Sequence, residues 1–349
     1  MASRIVGLDI GRDTVRAVEI ENPDKARPVV VRYAEVPLPP DSVRSGEVRE
    51  VNTVAVAIKR LWAQGGFKTR DVVLGMGNQR VLARDLTVPR MSLKQIRESL
   101  PFQVQEMLPV PVSEALLDFY PISEGDGENG PVVHGLLVAA IKESVLANVN
   151  AVRQAGLNPV HVDLIPFALT RALLRGPLAR GTVALIDIGA STTNVVISTA
   201  GVPQFVRMIP AGGEDLTRSL VNSMEFSPQA AEGFKRQRGL ALFNGGSEQE
   251  RRASEIIRES AGELLSSLRN TINYFANTRH NEPIQGIVLS GGGARLSGLP
   301  QALGDLTRIP VVLADPFSSV DVSKGMRKSG SNDELTMAVA IGLAIGSAA

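Results

Sequence analysis

A repeat limits this chain more than any other feature. Leu185-Ile186-Asp187-Ile188-Gly189-Ala190-Ser191-Thr192-Thr193-Asn194-Val195-Val196-Ile197 is an apolar strand, an aspartate, a glycine, four small residues and a second strand. Near the start stands Leu8-Asp9-Ile10-Gly11-Arg12-Asp13-Thr14-Val15-Arg16-Ala17-Val18. Superposed, Asp9 falls on Asp187, Ile10 on Ile188, Gly11 on Gly189, Thr14 on Thr192 and Val18 on Val196. Each stretch reads as a tight hairpin whose N–H groups and hydroxyls point out of a sheet edge. Such a turn cradles phosphate, because amides and hydroxyls donate to oxygen and glycine allows close approach. A single D-x-G turn between strands is usually just a turn. Two of them half a chain apart, followed by the run Ile287-Val288-Leu289-Ser290-Gly291-Gly292-Gly293-Ala294-Arg295, point to an α/β chain in two halves.

Length agrees: 349 residues suit two domains with sizeable cores. A formal net charge of +1 supplies no field toward nucleic acid or an anionic membrane, so neither is expected as a direct partner. There is no cysteine, which excludes disulfides and iron–sulfur clusters and fits a reducing cytoplasm. The histidines, His134, His161 and His280, are scattered, so a histidine metal site is not expected. The basic clusters Lys235, Arg236, Arg238 and Lys324, Arg327, Lys328 read as solvated surface, apart from Lys235 below. The N-terminus shows no signal segment, and no apolar run reaches the roughly 18 residues of a spanning helix. No G-x-x-x-x-G-K-[ST] run and no complete G-x-G-x-x-G occurs, so P-loop and Rossmann sites are excluded.

In chain order, strands are expected at 4–10, 14–20 and 28–36, with Pro37, Pro39 and Pro40 ending regular structure. A helix follows from Thr53 to Gly65 with Val54, Ala57, Ile58 and Leu61 on one face, then strands at 71–75 and 80–88. Residues 89–156 break the pattern as an α-β-β-α insertion. Ser92 and Gln95 form a capping box, Leu93, Ile96 and Leu100 continue at helical spacing, and Pro101 is expected to kink or split that helix. A polar loop from Ser123 to Gly130 separates two strands, and a helix from Lys142 ends at Gly156. Ile165 to Leu173 reads as a helix with Pro166 in its first turn. Gly212, Gly213 and Glu214 open another, whose N-terminus can face phosphate or a metal-bound water. Glu232 and Lys235 lie three apart on one helix face. A long amphipathic helix over 253–277 presents Ile257, Ala261, Leu264, Leu268, Ile272 and Phe275 as core. Residues 318–332 are expected to be a mobile loop, and Ala338, Gly342 and Gly346 place small residues on one face of a last helix.

The two hairpins and the later glycine run, in this order, resemble the motifs of the actin-like ATPase superfamily, which includes actin, chaperone ATPase domains, sugar kinases, MreB, FtsA and PilM. The resemblance implies a ribonuclease H-like fold in two halves with a nucleotide cleft between them. It sharpens in the insertion. Leu108-Pro109-Val110-Pro111-Val112-Ser113-Glu114-Ala115-Leu116-Leu117-Asp118-Phe119-Tyr120 is similar to the P-x-P-x-x-E-A-x-x-D segment of the PilM family, cytoplasmic proteins of the type IV pilus machine. FtsA and PilM proteins carry such an insertion, subdomain 1C. The implied division is 1A at 1–88 with 157–180 and 333–349, 1C at 89–156, 2A at 181–215 with 284–332, and 2B at 216–283. The chain stops three residues after Gly346, whereas FtsA continues into an amphipathic anchor, which favours PilM.

The resemblance implies ATP and Mg²⁺ as ligands. Asp9 and Asp187 would hold the ion, through retained waters. Gly11, Arg12, Asp13 and Thr14, with Gly189, Ala190, Ser191, Thr192, Thr193 and Asn194, would clamp the phosphates. Gly212, Gly213 and Glu214 would approach them, Glu232 and Lys235 would reach the ribose and base, Gly291, Gly292 and Gly293 would take the adenosine, and Arg295 would stack on adenine. Relatives place a glutamate or glutamine where Ile165 stands, and isoleucine cannot orient an attacking water, so weak or no ATPase activity is expected. PilM proteins capture the N-terminal cytoplasmic segment of the membrane protein PilN, in a groove expected between 1A and 1C. They communicate with the pilus motor ATPases, so this chain is expected at the cytoplasmic face of the inner membrane, as a monomer or homo-oligomer. The alternatives are an FtsA-like division filament protein and a small-molecule kinase or ATPase of the same fold.

Overall fold

A computed structural model describes residues 3–241, 247–279, 283–324 and 334–346 of the protein. The first half begins with β1 (Arg4–Ile10), β2 (Thr14–Glu21) and β3 (Val29–Pro37), the short strands β4 (Val43–Arg44) and β5 (Glu47–Val48), α1 (Val51–Gly65) and β6 (Asp71–Met76). The inserted region holds β7 (Val81–Pro89), α2 (Leu93–Gln103), β8 (Ala115–Gly127) and β9 (Gly130–Ile141). The chain returns through α3 (Lys142–Gln154), β10 (Asn158–Leu164) and α4 (Ile165–Leu173). The second half runs β11 (Thr182–Ile188), β12 (Thr193–Thr199), β13 (Val202–Ile209), α5 (Gly213–Met224), α6 (Pro228–Arg238), α7 (Glu248–Thr278), β14 (Ile284–Ser290), α8 (Leu299–Thr307) and β15 (Val311–Leu313). Last come β16 (Asp321–Val322) and α9 (Ala338–Ala344).

The repeat in sequence is a repeat in topology. One sheet has the order β10-β6-β1-β2-β3-β16, the other β13-β12-β11-β14-β15. Read from its other edge, the second sheet repeats five strands of the first. β1 and β11 are antiparallel to the strand after them and parallel to the crossover strand, β6 or β14. Every residue of β11 is buried, as its continuous apolar run requires of a central strand. The core of the first sheet takes the predicted face of α1, Val54, Ala57, Ile58 and Leu61.

α4 and α9 join the halves. α4 packs on β12 and β13, α9 on β1, β2 and β6, and the two helices cross each other. Small residues let them approach: a Cβ on Gly342 would stand 2.0 Å from the Ala168 carbonyl oxygen.

Several expectations change. The strand over 80–88 does not extend the first sheet. β6 already has β1 and β10 as neighbours, so β7 pairs with β9, from Val81 opposite Ala140 to Pro89 opposite Val132. The insertion's sheet is therefore β7-β9-β8, and the cut drawn between 88 and 89 falls within β7. The helix over 142–155 belongs with the first half, because Val145, Val149 and Val152 of α3 join that core. The polar stretch from Ser123 continues as strand to Gly127, in register with β9, and turns at Glu128-Asn129. α7 serves two cores. Ala253, Ile257 and Ala261 pack with Leu216 and Leu220 of α5, while Leu264, Leu268, Ile272 and Phe275 pack on the second sheet. Pro101 lies in the last turn of α2, which ends at Gln103. Of the loop expected over 318–332, Asp321–Val322 pairs with β3 as β16, and 325–332 lies outside the described residues.

The insertion has its own core, with Val88, Ile96, Leu100, Phe119 and Leu137. It leans on both halves. Tyr120 of β8 stacks on Phe167 of α4 with ring centroids 4.6 Å apart, and its three strands touch β13.

Candidate functional site

Each sheet ends in one of the paired hairpins, and the two turns are built alike. Gly11 N–H donates to Thr14 O at 3.0 Å, and Gly189 N–H donates to Thr192 O at 3.0 Å. A Cβ on either glycine would lie 2.9 Å from that same carbonyl oxygen, so a side chain would force the turn open. Among the described residues, no backbone carbonyl takes the amides of Arg12, Asp13, Ala190 or Ser191. Two sets of amides thus stand at the sheet ends, as a phosphate cradle requires.

The aspartates sit just before the turns. Asp9 is 8% exposed and Asp187 7%. Burial raises the pKa of each carboxyl; for Asp187 the charge of Asp9 adds to it, and Asp187 is pushed up to about 6 despite hydrogen bonds from Ser290 and Asn194. The hairpins are asymmetric in one respect that the strand register exposes. Asp9 is paired with Arg16, and Asp187 with Asn194. The superposition that aligns the aspartates aligns these two residues as well. Arg16 Nη1 lies 3.9 Å from Asp9 and its Nε 3.1 Å from Glu35, so Asp9 has a cation beside it where Asp187 has an amide. Arg16 is a site residue that sequence reasoning missed, although continuing the superposition two residues past Thr14 and Thr192 finds it.

A hard divalent cation fits this pair. Two buried carboxylates that hinder each other's ionisation are neutralised by one ion, and Asn194 Oδ1 is a buried oxygen with no hydrogen-bond partner. Two carboxylates leave most of an octahedral shell to water and phosphate oxygen.

The remaining residues divide into two groups. Gly291 and Gly293 fold over the end of β11: a Cβ on Gly291 would come within 2.4 Å of Ile188 O, and one on Gly293 within 2.3 Å of Ile188 Cγ2. They stand beside Asp187, whose register partner is Ser290. Gly292 and Arg295 are exposed in the turn that follows. The 295–298 segment also meets the end of α6, where Leu240 N–H donates to Ser297 O at 2.7 Å. The second group is committed to holding the second half together. Thr193 is fully buried and gives its hydroxyl to Ala211 O, so it does not serve as a phosphate donor here. The amides of Gly213 and Glu214 donate to Gly189 O and Ala190 O at 2.9 and 2.8 Å, and Gly212 N–H donates to Asp215. The start of α5 therefore braces the second hairpin from behind with the amides expected to face phosphate. Lys235 donates to Gly213 O at 2.8 Å and Thr217 Oγ1 at 2.9 Å, and pairs with Glu232 at 2.6 Å. Burial raises the Glu232 pKa, but the bonds from Lys235, Thr217 and Arg236 outweigh it and hold that carboxyl at about 2. Glu232 and Lys235 thus lock α6 to α5, and the charge of Glu232 is also felt at Asp13 of the first hairpin.

At the head of α4, Ile165 fits against Gly75 and Gly77, where a Cβ would lie 2.9 Å from it. Asp163 accepts from Leu164 N–H and is ion-paired with Arg171.

Two like sheets, a crossing helix pair and mirrored hairpins define an actin-like ATPase fold. MreB5 of Spiroplasma citri bound to ADP shares it, with a TM-score of 0.53 and 12% identity over 97% of this chain and 94% of that one. A curated relative, cell division protein FtsA of Bacillus subtilis, is 24% identical over 89% of this chain and 78% of its own length. The family model for type IV pilus assembly protein PilM matches residues 7–348, and the chain belongs to that family. A solved PilM-PilN type IV pilus biogenesis complex aligns with it at a TM-score of 0.85, with 30% identity over 98% of this chain and 97% of that one.

Proposed function

We propose that this protein is an ATP-binding scaffold of the type IV pilus assembly platform, which binds the N-terminal cytoplasmic segment of a PilN-like membrane protein in a nucleotide-sensitive way. The observation that carries the nucleotide part is the pair of matched turns, each with amides that no backbone carbonyl among the described residues takes, beside a buried aspartate. Asp9 and Asp187 would hold Mg²⁺, and the amides of Arg12, Asp13, Ala190 and Ser191 would take phosphate oxygens, with Gly291 to Gly293 beside the nucleoside. The ion supplies charge neutralisation between the halves. Because each half contributes one aspartate and one turn, a bound nucleotide favours their closed arrangement. Ile165 gives no group to orient water, so slow or absent hydrolysis is expected.

The partner part rests on the PilM-PilN complex as a structural neighbour and on the insertion, whose Tyr120–Phe167 contact ties it to α4. A groove between the first sheet and the insertion would hold the peptide, and movement of α4 would reach it. No described helix is long and apolar enough to cross a membrane, and attachment to the inner membrane through this partner gives the protein its place at the cytoplasmic face. The subdomain division 1A, 1C, 2A and 2B is retained in the proposal, with β7 moved into 1C and α3 into 1A. The test is calorimetric titration with Mg·ATP, then with a synthetic PilN N-terminal peptide, with and without nucleotide. Peptide affinity that changes with nucleotide supports the scaffold. Nucleotide binding without peptide binding favours an FtsA-like role, and no nucleotide binding defeats the site.

A further inference from the structure

One ion pair at this site spans the two halves. Arg12 lies in the first hairpin and Glu214 in the first turn of α5, in the second half. Arg12 Nη1 stands 2.6 Å from Glu214 Oε2, with both side chains 24% exposed. Burial lowers the Arg12 pKa, but the bond to Glu214 and the charges of Asp13, Glu214 and Asp41 outweigh it and raise it. The other cations near the hairpins are held within their own halves, Arg16 by Glu35 and Asp9, and Lys235 by Gly213, Thr217 and Glu232. Arg12 also has Asp13 of its own turn 3.8 Å from its Nε, but its closer counter-charge, Glu214, lies across the cleft.

We propose that Glu214 competes with the polyphosphate of the nucleotide for Arg12, so that ligand binding exchanges an interdomain ion pair for an Arg12–phosphate contact. This rests on the nucleotide reading above and assigns Glu214 the opposite role to a phosphate contact. A carboxylate repels phosphate, so its place beside the first hairpin is explained by its hold on Arg12. The exchange favours phosphate, since guanidinium binds phosphate bidentately and a polyphosphate carries more charge than one carboxylate. It is not free of cost. Glu214 stays near the site, held by the positive end of α5, and its charge already opposes ionisation of Asp13. Glu214 thereby sets how much ligand is needed to displace it.

The test is calorimetry of the full chain with Mg·ATP and, separately, Mg²⁺ with tripolyphosphate, on the wild type, Glu214→Gln, Arg12→Ala and the double variant, with melting curves as a fold control. Glu214→Gln is expected to tighten both ligands about twofold to fivefold, the worth of a partly exposed ion pair. In the Arg12→Ala background the same substitution should gain little. A gain of equal size with and without Arg12 would mean simple charge repulsion and overturn the exchange. Unchanged affinity in Glu214→Gln while the wild type binds also overturns it, leaving the nucleotide site intact. If neither protein binds either ligand, it is the nucleotide reading that fails. Glu214→Ala, with the same expectation, covers a Gln variant that folds poorly.

Discussion

Asp187 shows how much of the site one residue's surroundings decide. Its folded pKa of about 6 lies above the ordinary carboxylate value of 3.8. The folded protein therefore binds a proton more tightly than the unfolded chain, and stability falls as pH rises between those values. The contribution is fully present below about 4 and gone above about 6. Asp187→Asn removes the charge at every pH. Its melting temperature without Mg²⁺ should exceed that of the wild type at pH 8, and the difference should vanish near pH 4. A variant that melts lower at pH 8 would show that Asn194 and Ser290 need the carboxylate more than burial opposes it. The hairpins, their aspartates and glycines were legible because each is a local pattern that occurs twice. Arg12 with Glu214 was not, since 202 positions separate the two in sequence and nothing local pairs them. Lys235 shows the intermediate case: its partner Glu232 follows from helical spacing, but Gly213 O and Thr217 come from another helix.

The elements were read well wherever periodicity alone decides them, and less well where partners do. The apolar face of α1 and the register of α7 are properties of one segment, and both appear as expected. Which sheet receives β7 is a property of three segments, because it depends on whether β6 has a free edge. The same holds for α3, whose pattern marks a buried face without saying which core it meets. The small residues of α9 carry a stronger signal, since close crossing demands them. Gly342→Ala would place a methyl group 2.0 Å from Ala168 O, which α4 cannot yield without moving its backbone. The expected cost is about 1–3 kcal/mol, the usual range for overpacking, and urea unfolding measures it. Loss of less than about 0.5 kcal/mol, the level of a neutral surface change, would mean that the helices shift freely. The same crossing links α4 to the insertion, so Phe167→Ala should weaken the influence of nucleotide on peptide affinity more than it weakens either affinity alone. Peptide titration with and without Mg·ATP reads that difference.

At the scale of the whole molecule, the duplication makes a stricter demand. The two halves share strand order and turn geometry, yet they face one cleft and would hold one ion. Asp9 and Asp187 are then two ligands of a single charge, and their effects cannot be independent. Removing either carboxylate should cost Mg·ATP binding about 3 kcal/mol, or roughly a hundredfold, as for loss of a strong charged contact. Removing the second should cost far less, because the ion has already been lost and only the amides of the two turns remain. Calorimetry on Asp9→Asn, Asp187→Asn and the double variant separates the cases. A double variant no weaker than the worse single one fits a shared ion. Losses that multiply would place the aspartates at separate sites, and the closure that couples the halves would need another origin. The cations predict a further asymmetry. Asp9 has the half-buried Arg16 beside it, which offsets part of the cost of its burial, whereas Asp187 has only an amide. Burial still outweighs Arg16 at Asp9, so Asp9→Asn should raise the melting temperature at pH 8 without nucleotide by less than Asp187→Asn does, and the duplicated aspartates contribute alike to ligand binding and unequally to stability.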